Sequence, residues 1–196
     1  MRLLGGRGRG APVDFLIAGL GNPGSRHAGT RHNVGFETAN ELGRRWELPR
    51  ARKKFAALVS EGRAGAGGPR VALMLPQTYM NESGSAVGPA RGHYRLDLDQ
   101  VIVIHDEIDL PFGEVQTRKG GGLAGHNGLK SVSAALGGPD FLRVRVGVGR
   151  PQSTDPDVVA AYVLSPFAEP KEQVRALIER AADAAEELIG VTAAAG

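Results

Sequence analysis

His32, Asp106 and Asn22 are the residues of this chain best placed to do chemistry. Asp106 lies at the end of the apolar run Val101-Ile-Val-Ile104, and Asn22 follows another, Phe15-Leu-Ile-Ala-Gly-Leu20. In α/β sheets, loops at the carboxyl ends of strands converge on a ligand crevice. A buried carboxylate beside an imidazole fixes its tautomer and raises its basicity, giving a general base that can activate water. Other nucleophile contexts are missing: there is no G-x-S-x-G elbow, no H-E-x-x-H and no cysteine. The cluster His105-Asp106-Glu107-Asp109 invites a metal reading. Strand alternation turns Asp106 away from His105 and Glu107, so no metal and no cofactor are expected.

Three further segments carry candidate binding residues. The run Arg118-Lys119-Gly120-Gly-Gly-Leu-Ala-Gly125-His126-Asn127 joins a basic strand end to a glycine loop that opens a helix. Free backbone N–H groups and the helix dipole attract anions there. Arg143 and Arg145 alternate on the following strand and share a face, which reads as a solvated stripe or, beside the glycine loop, as a phosphate clamp. Tyr79-Met80-Asn81 offers an apolar wall with an amide donor, or alternatively a core pair with Asn81 as a helix cap. The loop from Gly19 to Asn33 satisfies G-x-G-x-x-G at Gly19-Leu-Gly21-Asn-Pro-Gly24. A dinucleotide site would need the third glycine to open a helix at once and an acidic residue at the end of a second strand. Here the loop runs on to His32, and Glu41 falls inside a predicted helix. The glycines are therefore expected to turn the backbone sharply beside a substrate.

The elements that must position these residues follow from periodicity. Strands are expected at 15–20, 55–60, 70–75, 101–104, 114–118 and 143–148. Helices are expected at 33–46 with Asn33 as N-cap, then at 82–94, 128–136, 157–164 and 169–190. Strands interleaved with helices predict a three-layer α/β/α sandwich around a mixed, twisted central sheet. The chain's 196 residues fit a single domain, residues 13–191, after a flexible basic tail, residues 1–12. That tail has no apolar stretch of the kind a secretory signal needs, and no run of 18 apolar residues would span a membrane. The lack of cysteine suits a reducing cytoplasm. Net charge is +3 with a pI near 9.5. Arginine far outnumbers lysine, and its planar fork suits phosphate and base recognition.

The order and spacing of four of these segments resemble bacterial-type peptidyl-tRNA hydrolases. They are Gly19–Gly24 with Thr30-Arg-His-Asn33, Pro76–Gly84, His105–Pro111 and Gly120–Leu129; Arg143–Gly149 continues the match. The resemblance implies a cytoplasmic, monomeric, metal-free esterase. It would cleave the bond between a peptide and the tRNA 3′ ribose, recycling tRNA from stalled translation. It implies that His32 activates water, that Asp106 orients it, and that Asn22 distinguishes N-blocked from free aminoacyl-tRNA. Tyr79, Met80, Asn81, His126 and Asn127 would meet the substrate and the 3′ CCA end. Arg118, Lys119 and Arg145 would grip acceptor-stem phosphates. Two positions depart from the family: His27 stands where a tyrosine is common, and Gln116 replaces a frequent basic residue. Leu123-Ala124 is less glycine-like than usual and predicts a stiffer loop. A non-catalytic RNA-binding relative of the same fold, of the splicing-cofactor kind, is the alternative.

Overall fold

The computed structural model describes residues 12–191, so all but Pro12 of the predicted tail lies outside the described residues. Seven strands form one mixed sheet in the order β2-β3-β4-β1-β5-β7-β6. The central strands are β1 (Phe15–Gly19), β4 (Arg70–Pro76), β5 (Val101–Glu107) and β7 (Leu142–Gly147), all parallel. The flanking strands β2 (Arg52–Lys54), β3 (Ala57–Arg63) and β6 (Val115–Lys119) run antiparallel to their neighbours. Both faces of the centre are covered, which explains the continuous apolar run of β1 and the β-branched run Val101–Ile104 of β5.

Alternation along the strands separates two cores. Leu16, Ala18, Val101 and Val103 face Val87 of α2 (Gly84–Tyr94) and Leu129 and Val132 of α3 (Asn127–Leu136). Ile17, Ile102, Ile104, Val144 and Val146 face Val34 and Leu42 of α1 (Val34–Arg45) and Leu177 and Ala181 of α5 (Lys171–Leu188). The expected three layers are thus present. Each fully buried Val, Leu or Ile among these contributes about 1.5–3 kcal/mol of transfer free energy.

The sheet differs from expectation at β2, for which no strand was predicted. The β2–β3 turn is Phe55-Ala56, both with left-handed φ (54° and 53°). Neither residue has turn chemistry, so local sequence gives no signal. Tertiary contacts hold the turn instead. The Phe55 ring packs against His93 and Tyr94, and the Ala56 carbonyl accepts the Gln77 N–H at 2.8 Å.

Candidate active site

The strand register creates the crevice. Gly19, the last residue of β1, pairs with Ile104. β5 continues three residues further while still pairing with β7. His105, Asp106 and Glu107 therefore project past the end of β1. Asp106, 3% exposed, is reached by helix starts from both layers.

From one side comes His32, in the helical turn Arg31–Asn33 that leads into α1. Gly35 sets its height: a Cβ there would collide with the carbonyl oxygens of Leu20 and Ile104. Without one, α1 seats directly on the strand ends. Gly19 and Gly21 serve the same packing, because their Cβ atoms would strike the Gly35 carbonyl and the Phe36 ring. This corrects their expected role as sharp turns. Positive φ falls at Gly24 and Gly29 instead.

His32 Nδ1 lies 2.9 and 3.0 Å from the two carboxylate oxygens of Asp106. An ionised carboxylate only accepts, so Nδ1–H donates and Nε2 keeps its lone pair toward the cavity. Burial pushes the His32 pKa down, but the charge and hydrogen bond of Asp106 outweigh it, and the net shift is upward. Burial pushes the Asp106 carboxyl up, yet the two histidines against it hold it well below the usual carboxylate range.

From the other side comes His126, immediately before α3. Its Nε2 is 2.9 Å from Asp106 Oδ1. Its Nδ1 accepts the N–H groups of Gly128 and Leu129 at 3.1 and 3.3 Å, capping α3. The ring proton therefore sits on Nε2 and is donated to Asp106. The potential ligand atoms of His32, Asp106 and His126 lie within 4.8 Å of one another, but the set fits hydrogen bonding rather than a metal. A metal on His126 Nε2 would put the proton on Nδ1, against the two N–H groups it caps. Among the sequence-predicted cluster, Glu107 turns to Arg145 at 3.1 Å and Asp109 to Arg150 at 2.6 Å. His105 is buried with its Nδ1 on the Asp106 carbonyl at 2.7 Å. Burial, with His126 beside it, pushes the His105 pKa down to about 3.

Asn22 lies across the crevice floor, 7% exposed. Its Oδ1 accepts the Met80 N–H at 2.8 Å, so its Nδ2 group is the one left to donate. Asn33, expected as a helix cap, makes no side-chain cap bond. Its amide instead brackets the Asn22 backbone, accepting its N–H at 2.8 Å and donating to its carbonyl at 2.9 Å. Asn81 likewise caps nothing: it sits in the turn Met80–Glu82 before α2.

A cavity of about 750 Å³ gathers Asn22, His27, His32, Tyr79, Met80, Asn81, Asp106, His126 and Asn127. Tyr79, 66% exposed, stands at its rim. Arg118, Lys119 and Arg145 lie outside it, on the β6–β7 edge. Arg143 is not available as a phosphate clamp. It is 1% exposed, and its guanidinium donates to the carbonyl oxygens of Gly120 and Gly122. Burial, then the charges of Arg118 and Arg145, lower its pKa. Arg143 splints the glycine loop from beneath, and Ala124 in that loop takes a left-handed φ of 48°, a strained choice for a residue with a side chain.

One wall has no counterpart among the sequence-predicted site residues. Ile108 and α4 (Pro156–Val163), with Val159, Val163 and the following Leu164, form an apolar side of the cavity. Arg31, 5% exposed, ties this wall to the His32 turn. Its Nη1 donates to Ser165 Oγ and the Pro166 carbonyl, both at 2.7 Å, and its guanidinium lies 4.2 Å from the Tyr162 ring centroid. The only sequence signal was an arginine beside the candidate base.

A sequence profile described as peptidyl-tRNA hydrolase matches residues 16–195. A peptidyl-tRNA hydrolase of Renibacterium salmoninarum is 48% identical over 176 residues, 89% of this chain and 90% of that protein. One from Mycobacterium sp. strain KMS is 52% identical over 177 residues, again 89% and 90%. Among solved structures, the peptidyl-tRNA hydrolase of Acinetobacter baumannii aligns with a TM-score of 0.80 at 34% identity, covering 93% of this chain and 91% of that one.

Proposed function

We infer from one premise, that the chain belongs to the peptidyl-tRNA hydrolase family, how its side chains hydrolyse the ester between a peptide and the tRNA 3′ end. His32 Nε2 takes a proton from water in the cavity as the oxygen attacks the ester carbonyl. The imidazolium that forms is stabilised by the Asp106 carboxylate at Nδ1. The fixed Nδ2 group of Asn22, with the amides of Asn81 and Asn127 along the cavity, donates to the developing oxyanion. The proton on His32 then passes to the departing ribose oxygen.

The observation that carries this reading is the two-oxygen grip of Asp106 on His32 Nδ1, which leaves Nε2 as the free base facing the cavity. Selectivity for N-blocked substrates follows if the site pairs the peptide amide, since an unmatched α-ammonium would be costly to bury. Tyr79 and His27 offer rings against which the terminal bases can stack. The reading assigns the acceptor-stem phosphates to the β6–β7 cations Arg118, Lys119 and Arg145. The reading includes a monomer acting in the cytoplasm, and among the described residues no helix is long and apolar enough to cross a membrane.

The test is hydrolysis of N-acetyl-aminoacyl-tRNA by wild type and His32→Ala. Turnover is expected to fall by about three orders of magnitude or more with binding retained. Equal turnover would remove His32 as the base, and an inactive wild type that still binds tRNA would favour an RNA-binding role.

A further inference from the structure

Gln116 lies directly opposite Arg145 across the antiparallel β6–β7 pair, on the same face of the sheet. Its Oε1 accepts from Arg145 Nη1 at 2.9 Å. On the other side, Arg145 Nε donates to Glu107 Oε2 at 3.1 Å. Glu107 is itself 4% exposed and is anchored by the Asp109 N–H on its second oxygen, also at 3.1 Å. Arg145 is thus held between a buried carboxylate and a surface amide. Two of its five N–H donors are spent on this grip, and the other three, including both on Nη2, make no hydrogen bond among the described residues.

Glu107 is the one carboxylate bonded to any of the three neighbouring guanidiniums Arg118, Arg143 and Arg145 among the described residues. Arg143 is committed to the glycine-loop carbonyls. One carboxylate against three guanidiniums leaves the group net positive, with Arg118 exposed and Arg145 partly exposed. A free arginine loses rotamer entropy on gripping an anion, and an arginine already fixed loses less.

We propose that Gln116 and Glu107 are positioning residues that fix the Arg145 guanidinium for a phosphate of the RNA substrate. This rests on the function proposed above. It gives the uncharged Gln116 a role at a place where a further cation would be expected: it trades a direct charge for a more rigid arginine. Gln116 is exposed on an edge strand, so its substitution leaves the core untouched.

The experiment measures KM and kcat for N-acetyl-aminoacyl-tRNA across a salt series in Gln116→Leu, Arg145→Ala and the double variant. Gln116→Leu is expected to raise KM about three- to tenfold, the worth of one hydrogen bond, with kcat within about twofold. Its slope of log KM against log salt should match wild type, because no cation is lost. Arg145→Ala should raise KM and flatten that slope by about one. The double variant should be no worse than Arg145→Ala alone, since Gln116 acts through Arg145. Additive effects, or a Gln116→Leu variant with wild-type KM beside a defective Arg145→Ala, overturn the positioning role while leaving the phosphate reading intact. An Arg145→Ala enzyme with unchanged KM and salt slope overturns both.

Discussion

One carboxylate serves two histidines at the centre of this molecule, and the two are not equivalent. His126 spends both ring nitrogens, on Asp106 and on the start of α3, so it orients. His32 spends one, so it can act as a base. The raised His32 pKa gives a pH dependence with a definite sign. The base must be neutral, so kcat/KM should rise as pH climbs through a value above the ordinary histidine pKa, and then level off. Asp106→Asn removes the charge that raises His32 and leaves the burial that lowers it. The acid limb of the profile should then move to lower pH, while kcat drops by about two orders of magnitude or more. A pH–rate series on both enzymes checks this, and a limb that stays in place would mean Asp106 does not set the basicity of His32.

At the scale of elements, the site depends on how closely α1 seats on the strand ends and on how α4 is tied down. Gly35→Ala forces a methyl group against two backbone carbonyls, so α1 must lift. We expect a loss of about 1–3 kcal/mol in stability, read by thermal melting, with a kcat loss larger than that because His32 rides on the same turn. Arg31→Ala removes the tie to Ser165 and Pro166 and leaves buried acceptors unpartnered. It should cost about 2–4 kcal/mol of stability. It should also raise KM most for substrates with apolar residues next to the ester, since α4 supplies the apolar wall. Equal KM changes for polar and apolar peptides would separate Arg31 from that wall.

Across the whole molecule, the proposed catalytic residues and the proposed phosphate grip occupy different strands of one sheet. Asp106 stands at the end of β5 with His32 brought to it by the turn before α1, while Arg145 lies one strand away on β7 and Arg118 two strands away on the edge strand β6. Arg118 makes no ion pair among the described residues, so its charge is undiminished. Arg118→Ala should weaken binding of tRNA and lower the salt slope by about one with kcat little changed. Binding isotherms at several salt concentrations decide this, and an unaltered slope would place Arg118 away from the phosphates.

Much of this was determined by the sequence alone. Apolar periodicity set the helices, the three layers and the central place of Val101–Ile104, because burial on two faces leaves a continuous β-branched run. Residue type and spacing marked His32, Asp106 and Asn22 as candidates, because few side chains can activate water and Asp106 and Asn22 each come at the end of an apolar strand. The tertiary structure decided what has no local signature. The Phe55-Ala56 turn is held by distant rings and a distant N–H, so propensity could not reveal β2. Arg143 and Arg145 look alike on one strand face, yet one lies beneath the glycine loop and is used up, while the other lies opposite Gln116 and keeps donors free. Asn33 reads as a cap, but it brackets a residue eleven positions away. Hydrogen-bond partners are chosen by proximity in the fold, and proximity across a sheet is not written into neighbouring residues.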